Sequence, residues 1–437
     1  MERAYKYRIY PNARQRALIQ ETFDACRFVW NDALAWRKAA WELSGRSPSA
    51  SEQDRCLPAL KRACSWLSEV DSHALQQTLR DLDRAFKAFF RRCREGGKPG
   101  YPRFRSKRRP HDSYRTNVGF AVVDARHVKA LKLGMVRCKV SRMPEGRIVS
   151  ATVSRTPTGR YYVSVCCVDV PAPEMPDGTV PVLGIDTGQR VLLADSEGQV
   201  AGNPRNAAKA AKRLRRAQRS LSRRQGSRKG EAKSNRWRKQ ARKVARIHER
   251  VADQRRDALH KATTQAVRES QAIAVEDLDV AGMRRRPRPK PDPGHPGRFL
   301  PNGAAAARAR NRQGADASMG ELERQLRYKC AWYGRGYVRV SRWYPSSQLC
   351  SCCGHREPSV RQGMETWVCP ACGARHNRDL NAAVNIMREG ARMMEGQETR
   401  TAGHAGTGDQ VRQGPATLGE RASGRRAGSS PAAAGRS

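Results

Sequence analysis

The pattern of apolar and polar positions changes period several times along the chain. The opening AYKYRIYPN alternates and predicts a short strand that stops at Pro11. From about Arg14 to Arg94 apolar residues recur every three or four positions, in QRALIQETFDACRFVWNDALAWRKAAWEL and again in DSHALQQTLRDLDRAFKAFFRR, which predicts helices. Trp30, Trp36, Trp41 and Trp66 read as core residues of those helices. Short alternating runs return between about Thr116 and Val170, among them GRIVSATVSRT and GRYYVSVCCVDV, and predict a small β domain. PAPEMPDGTVP then reads as a linker.

Two apolar segments further on look like buried strands, and each ends on an acid. PVLGID stops at Asp186 and is followed by a hairpin-like VLLADSEGQV; AIAVE stops at Glu276. Between them, residues 205 to 261 are helical in pattern, with an apolar seam of Leu214, Leu221, Val244, Ile247 and Val251. SRRQGSRKGEAK interrupts the seam, so two helices joined by a loop are expected. Arg284 to Arg312 is rich in Pro, Gly and Arg and is expected to be flexible. A helix (ELERQLRYKCAWYG), a strand (YVRVSRWYP) and a helix opened by Asp379 (DLNAAVNIMREG) complete the pattern. Periodicity ends after about Glu395, and the tail is expected to be disordered.

Composition sharpens this picture. A chain of 437 residues with 38% hydrophobic content buries enough for two or three domains. Lys+Arg 85 against Asp+Glu 41 gives a formal net charge of +44, which favours a polyanionic partner because neutralised phosphates release counterions. The helical region 205–261 carries 22 Lys/Arg and 4 acids, and so reads as a phosphate-facing surface, with Arg215, Arg216, Arg223 and Arg224 as candidates. In GGKPGYPRFRSKRR, Tyr101 and Phe104 interleave with Lys98, Arg103, Arg105, Lys107, Arg108 and Arg109. That mixture suits backbone contacts plus base stacking, although a solvated basic loop would look the same. The polar N-terminus and the lack of an apolar run approaching ~18 residues predict no secretory signal and no membrane span. Thiols or metal sites in a reducing cytosol are therefore expected rather than disulfides.

Five of the 13 cysteines crowd between Cys350 and Cys372. Cys350-Ser-Cys-Cys353-Gly and Cys369-Pro-Ala-Cys372-Gly are two C-x-x-C-G knuckles separated by 15 residues, the spacing of a four-cysteine zinc ribbon. Cys352 reads as a spare. Four thiolates leave the ion no open position, so such a zinc is structural.

Asp186, Glu276 and Asp379 share a setting: two end apolar strands and the third opens a helix. Taken singly, Asp379 reads as a helix N-cap and Asp186 as a turn residue. Taken together, three clustered carboxylates would repel one another unless cations neutralised them, and hard oxygen ligands select Mg2+ or Mn2+. Two such ions suit the hydrolysis of a phosphodiester.

YRIYPNARQ, RFVWNDAL, GKPGYPRFRSKRR, LGIDTG, VEDL, YPSSQLCSCCG, VCPACG and HNRDLNAAVNI together resemble the TnpB (OrfB) proteins of insertion sequences, which are related to type V CRISPR effectors. The resemblance covers Met1 to about Glu395 and implies an α+β multidomain chain. In it, an RNase H-like (RuvC) nuclease domain (180–345 and 374–395) is interrupted by a zinc ribbon (346–373). An N-terminal β-barrel wedge domain (1–12 and 115–172) carries a helical recognition insertion (13–114), and a disordered tail spans 396–437. It implies catalytic acids at Asp186, Glu276 and Asp379, which would bind two Mg2+ or Mn2+ ions. It also implies zinc ligands at Cys350, Cys353, Cys369 and Cys372. The implied partners are a transposon-derived guide RNA and a target DNA read beside a short adjacent motif. The implied particle is a monomer in a ribonucleoprotein, in a prokaryotic cytoplasm at the nucleoid.

This chain departs from the family in two places. It has His376-Asn377-Arg378-Asp379 where members often have His-Asp-Arg-Asp, and its Arg284–Arg312 insertion is longer and more Pro-rich than expected near an active-site lid. A guided binder without cleavage is disfavoured because all three acids are present. Single-strand transposition chemistry needs a His-hydrophobe-His pair, and none of the nine histidines stands two positions from another. Transposases with an Asp-Asp-Glu centre end on glutamate, whereas the order here is Asp-Glu-Asp. A zinc-ribbon regulator would leave the three acids unexplained.

Overall fold

The computed structural model of the chain describes residues 1–107, 112–224, 233–361 and 363–403. Arg108 and Arg109 of the basic loop, and residues 404–437 of the expected tail, lie outside the described residues. Every strand and site discussed below belongs to the unit Met1–Ala391.

The alternation of the first strand, β1 (Arg3–Ile9), turns Tyr5, Tyr7 and Ile9 inward. Asn12 ends it and starts the first helix, α1 (Ala13–Ser44). The Asn12 side chain accepts from the Gln15 amide while the Gln15 side chain accepts from the Asn12 amide, a reciprocal cap legible in NARQ. Helices α2 (Ala50–Ala63) and α3 (Ser72–Arg94) follow, joined by a 3-10 turn at Ser65–Ser68. The chain then returns to strands β2 (Asp112–Thr116), β3 (Ala121–Val122), β4 (His127–Ala130), β5 (Gly134–Lys139), β6 (Arg147–Arg155) and β7 (Tyr161–Val168). These seven strands form one antiparallel sheet in the order β2-β6-β7-β1-β5-β4-β3. Among the described residues no ladder joins β2 to β3, so the hydrogen-bonded order stays open there. Tyr7, Val163 and Val165 of the sheet share a core with Ile19, Phe23, Leu75 and Leu82 of the helices.

Of the four tryptophans expected in that core, only Trp30 is buried. Trp36 and Trp41 are exposed on α1 and Trp66 is exposed on the 3-10 turn. The buried stripe of α1 runs through Phe23, Cys26, Trp30, Ala33, Leu34 and Arg37. Trp36 falls beside it, and Trp41 lies beyond its last buried member.

The second half builds a mixed sheet from β8 (Val180–Asp186), β9 (Val191–Asp195), β10 (Val200–Gly202), β11 (Ser270–Glu276) and β14 (Gly336–Val340), in the order β10-β9-β8-β11-β14. β8 pairs antiparallel with β9, and β9 with β10, while β11 runs parallel to both β8 and β14. Helices α4 (Asn206–Arg223) and α5 (Asn235–Glu269) are the two basic helices, and Leu214, Val244, Ile247 and Val251 pack in their seam. The Pro-rich insertion is more ordered than its composition suggests. A short helix α6 (Val280–Met283) leads to a small hairpin, β12 (Lys290–Pro291) with β13 (Phe299–Leu300), and helix α7 (Ala304–Ala317) starts inside it. The Ala-rich run AAAARARNRQGADA is a strong helix former and overrides the flanking prolines. Helix α8 (Met319–Trp332) precedes β14, and a two-stranded ribbon, β15 (Thr366–Val368) with β16 (Arg375–Asn377), precedes the last helix, α9 (Arg378–Gly403). That helix continues past Glu395 to Gly403, further than the periodicity of the sequence predicts.

The two faces of the mixed sheet differ in residue size. Leu183, Ile185, Ile273 and Val275 point to one face and share a core with Leu259 and Val267 of α5 and Leu322 and Leu326 of α8. Gly184 and Ala274 point to the other face, where α9 lies. A Cβ on Gly184 would stand 2.1 Å from the Ala383 carbonyl oxygen, and one on Gly390 would stand 2.4 Å from the Ala274 Cβ. At the Gly184 end strand backbone thus meets helix backbone, and at the Gly390 end helix backbone meets the small Ala274 side chain. Gly184→Ala should cost about 3 kcal/mol or more of stability, because backbone rather than a flexible side chain must give way. Denaturant unfolding measures this, and a cost near zero would show that α9 does not sit this close.

Candidate active site and metal centre

The same face carries the acids. Asp186 stands two residues after Gly184 and Glu276 two after Ala274, so both project toward α9. The register sets Gly184 opposite Ala274 and Ile185 opposite Val275, which brings the two acids side by side at the ends of adjacent parallel strands. On α9, Asp379, Ala383 and Gly390 follow one another at i, i+4 and i+11, a single stripe facing the sheet. The three acids accordingly line one cavity of about 840 Å3, together with Gln189, Arg190, Arg310, Arg342, Tyr344 and Arg378.

Asp379 does not cap its own helix. Asn377 does: its side-chain oxygen accepts from the backbone amides of Asp379, at 3.1 Å, and Leu380, at 3.2 Å. The Asp379 carboxylate is left free for other work and is held by Arg378, whose Nε and Nη2 donate to Oδ1 at 3.1 and 2.7 Å. Asp186 and Glu276 have no ion pair of their own among the described residues. Burial, then the charges of Asp379 and Glu276, push Asp186 up to about 7, and Arg378 opposes the shift. Burial and then neighbouring Asp277 raise Glu276 as well. Oxygen donors lining one cavity, two of them without an ion pair among the described residues, are of the type a hard divalent cation accepts.

The cysteine knuckles are built twice on one plan. The Gly354 amide donates to the Cys350 carbonyl and the Gly373 amide to the Cys369 carbonyl, each at 2.9 Å. Both glycines have positive φ, +77° and +70°, which closes the turn around the thiolates. The sulfurs of Cys350, Cys353, Cys369 and Cys372 all lie within 4.8 Å of one another. Cys350 to Cys372 spans 3.6 Å and Cys353 to Cys369 spans 3.7 Å. A tetrahedron with Zn–S bonds of about 2.3 Å has edges of about 3.8 Å, so this donor set fits one zinc ion. Cys352 instead falls into a second cluster with Cys350 and His376. His376 is buried, its Nε2 is 3.0 Å from the Cys350 sulfur, and its ring lies against Trp367.

The ribbon is tied to the acid cavity by residues the sequence pattern does not mark. Asn381 Nδ2 donates to the Leu349 carbonyl at 2.7 Å, and Asn385 Nδ2 to the carbonyls of Ser346, at 2.8 Å, and Leu349, at 2.7 Å. The Ser351 amide donates back to Asn381 Oδ1 at 2.9 Å. Arg190 also pairs with Glu365. A buried Asn at i and i+4 on a helix is the one sequence signal that points to this bracing.

The candidate nucleic-acid residues lie elsewhere. Arg215, Arg216, Arg223 and Arg224 are exposed on α4 or just after it. Lys98, Arg103 and Phe104 are exposed. The loop is nonetheless pinned to the helices at several points, although Tyr101 and Lys107 remain exposed. Trp30 Nε1 donates to the Arg103 carbonyl, Asn31 exchanges two hydrogen bonds with the backbone of Arg105, and Tyr101 packs edge-on against Phe86 and Phe89. Arg105 is turned inward, its guanidinium 3.7 Å from the Trp30 ring centroid, and Lys107 lies 3.8 Å from Asp24.

The Asp186 shift has a signed consequence for stability. In the unfolded chain Asp186 ionises near the usual carboxylate value, whereas the folded chain holds the proton to about pH 7. The cost of the buried charge therefore grows as pH rises from about 4 and is fully present above 7. Without added Mg2+ or Mn2+, Asp186→Asn should raise the melting temperature by a few degrees at pH 8 and by less at pH 5.5. Equal melting at pH 8 would contradict the crowding of the acids.

Residues 165–286 match a family model described as "Probable transposase" (the IS605 OrfB model), and residues 320–386 match one described as "Cas12f1-like, TNB domain". Residues 1–46 match a "Helix-turn-helix domain" model, although the structure there holds β1 and the single long helix α1. A protein of Streptomyces pristinaespiralis named "Putative RNA-guided DNA endonuclease" is 38% identical over 398 residues, covering 89% of this chain and 90% of its own. InsQ of Escherichia coli K12, which carries the same descriptive name, is 33% identical over 391 residues, covering 89% of this chain and 92% of its own. Among solved structures, the Cas12f1–sgRNA–target DNA complex aligns with a TM-score of 0.47 and 12% identity, over 89% of this chain and 98% of that one. With relatives this similar over nearly their full lengths, the protein belongs to the OrfB/TnpB family of insertion-sequence proteins.

Proposed function

We propose that the protein is an RNA-guided DNA endonuclease that hydrolyses phosphodiester bonds at the cavity of Asp186, Glu276 and Asp379. The observation that carries this reading is the convergence of three acids, about a hundred residues apart in sequence, on one face of one sheet. The names of the relatives and the excess of basic residues support the choice of nucleic acid as substrate.

In this reading β8 to β14 with α9 form a RuvC-type nuclease domain of RNase H-like fold. Its parallel centre and antiparallel flank suit that assignment. The seven-stranded sheet is the wedge domain, and the helices between β1 and β2 are its recognition insertion. Asp186, Glu276 and Asp379 would hold two Mg2+ or Mn2+ ions. When bound, such ions supply activation of a water and stabilisation of the leaving oxygen. The residues of the chain do the rest. Asn377 fixes the first turn of α9 so that Asp379 faces the sheet, and Arg378 holds the Asp379 carboxylate. Cys350, Cys353, Cys369 and Cys372 hold a structural zinc that sets where α9 begins. The exposed arginines of α4 face the guide RNA or target DNA, with Lys98, Arg103 and Phe104 as further contacts.

Purification with the co-expressed element, sequencing of the bound RNA and a cleavage assay on matched DNA with Mg2+ test the proposal. Asp186→Ala should abolish cutting while leaving guided binding nearly intact. Equal cutting by both proteins would refute the assignment of the acids, and the absence of a discrete co-purifying RNA would refute guidance. Cys372→Ser should lower zinc content below one ion per chain and weaken cleavage through lost folding; undiminished zinc and activity would remove the ribbon from the account.

A further inference from the structure

Trp343 is 86% exposed, more than any other aromatic residue among the described residues. Its indole makes no ring, cation–π or hydrogen-bond contact there. Exposing an indole forfeits a large apolar burial, so its position calls for an explanation. The turn beneath it is rigid. The Tyr344 amide donates to the Ser341 carbonyl at 3.0 Å and the Trp343 amide to Ser341 Oγ at 3.3 Å. On one side of Trp343, Arg342 is clamped to Asp277, which directly follows Glu276 and whose amide donates to the Val340 carbonyl at 2.9 Å.

The setting identifies what would cover this ring. Arg342 and Tyr344, its chain neighbours, both line the cavity of the three acids, which places Trp343 at that cavity's rim. Four arginines line the same cavity, at 190, 310, 342 and 378. Arg310, exposed on α7, forms no ion pair among the described residues and is available to a phosphate. A polyanion threading past the arginines toward the acids would carry its bases outward, against a fixed aromatic face.

We propose that Trp343 is a stacking platform for a base of the single strand entering the cavity. This rests on the reading of the cavity as a phosphodiester-cleaving site and adds a positioning residue to it. Base–aromatic stacking is sequence-tolerant, because every base has a π-face, and removing it weakens binding roughly 5- to 100-fold. The platform would hold the strand in register with the acids without choosing its sequence, as a guided enzyme requires.

The test uses the full-length protein freed of nucleic acid, a twelve-nucleotide oligothymidylate, and an oligomer of equal length and charge lacking all bases, with no Mg2+ or Mn2+ added, at moderate salt. Trp343→Ala should raise the Kd for oligothymidylate at least about 5-fold and leave that for the abasic oligomer unchanged, while Trp343→Phe should stay near wild type. Stacking should quench part of the tryptophan emission, and that part should be missing in Trp343→Phe. An unchanged Kd in Trp343→Ala, an equal loss on the abasic oligomer, or an undiminished quench in Trp343→Phe would each overturn the proposal. Binding without added Mg2+ or Mn2+ involves no cutting, so this outcome is separable from whether Asp186→Ala abolishes cleavage.

Discussion

The close approach of α9 to the mixed sheet is the constraint on which the site depends. Elements packed through ordinary side chains, sheet on sheet or helix on helix, stand about 8–10 Å apart. Here the helix comes closer, because Gly184 on β8 lets strand backbone meet the Ala383 carbonyl and Gly390 on α9 lets helix backbone meet the Ala274 methyl. Strand alternation then turns that packing choice into chemistry. The residues two places beyond Gly184 and Ala274 are Asp186 and Glu276, and the residue one turn before Ala383 is Asp379. The small face of the sheet and the acid face are one face, so the contact that seats the helix also brings the third acid to the other two.

Such an arrangement opposes stability and needs bracing. Three acids share one cavity, two of them lack ion pairs among the described residues, and burial raises both Asp186 and Glu276. The opposing contributions come from around the cavity rather than within it. Arg378 neutralises Asp379, Asn377 satisfies the first amides of α9, and Asn381 and Asn385 fasten the helix to the loop that opens the ribbon. The four-cysteine cluster closes that loop at its far end. In the proposed reading, the metal-type cluster beside the acid cavity has a mechanical role. It limits where the helix can start, and the helix start determines where Asp379 points.

Much of this was legible in the residues. The two apolar strands ending on acids, the first helix and the paired knuckles each follow from a local rule, and the structure has them where the rules put them. What was not legible is long-range. Periodicity marks Leu183 and Ile185 as buried but does not say that Gly184 faces a helix two hundred residues later. The tempting reading of Asp379 as a cap failed because Asn377 competes for the same amides and sits two residues earlier, where a cap belongs. Three of the four helical tryptophans followed the period but not the packing, since a stripe ends where its partner elements end. In the Pro-rich insertion the opposite error arose: prolines mask a helix whose alanines begin just after them.

The central claim is that Asp186, Glu276 and Asp379 form one site for divalent metal. The most direct measurement is anomalous diffraction from crystals of the protein with its nucleic acids, soaked in Mn2+. The account predicts anomalous density between the three carboxylates, with Arg378 released from Asp379. Manganese bound elsewhere, with the three acids apart and the Arg378–Asp379 pair intact, would contradict it.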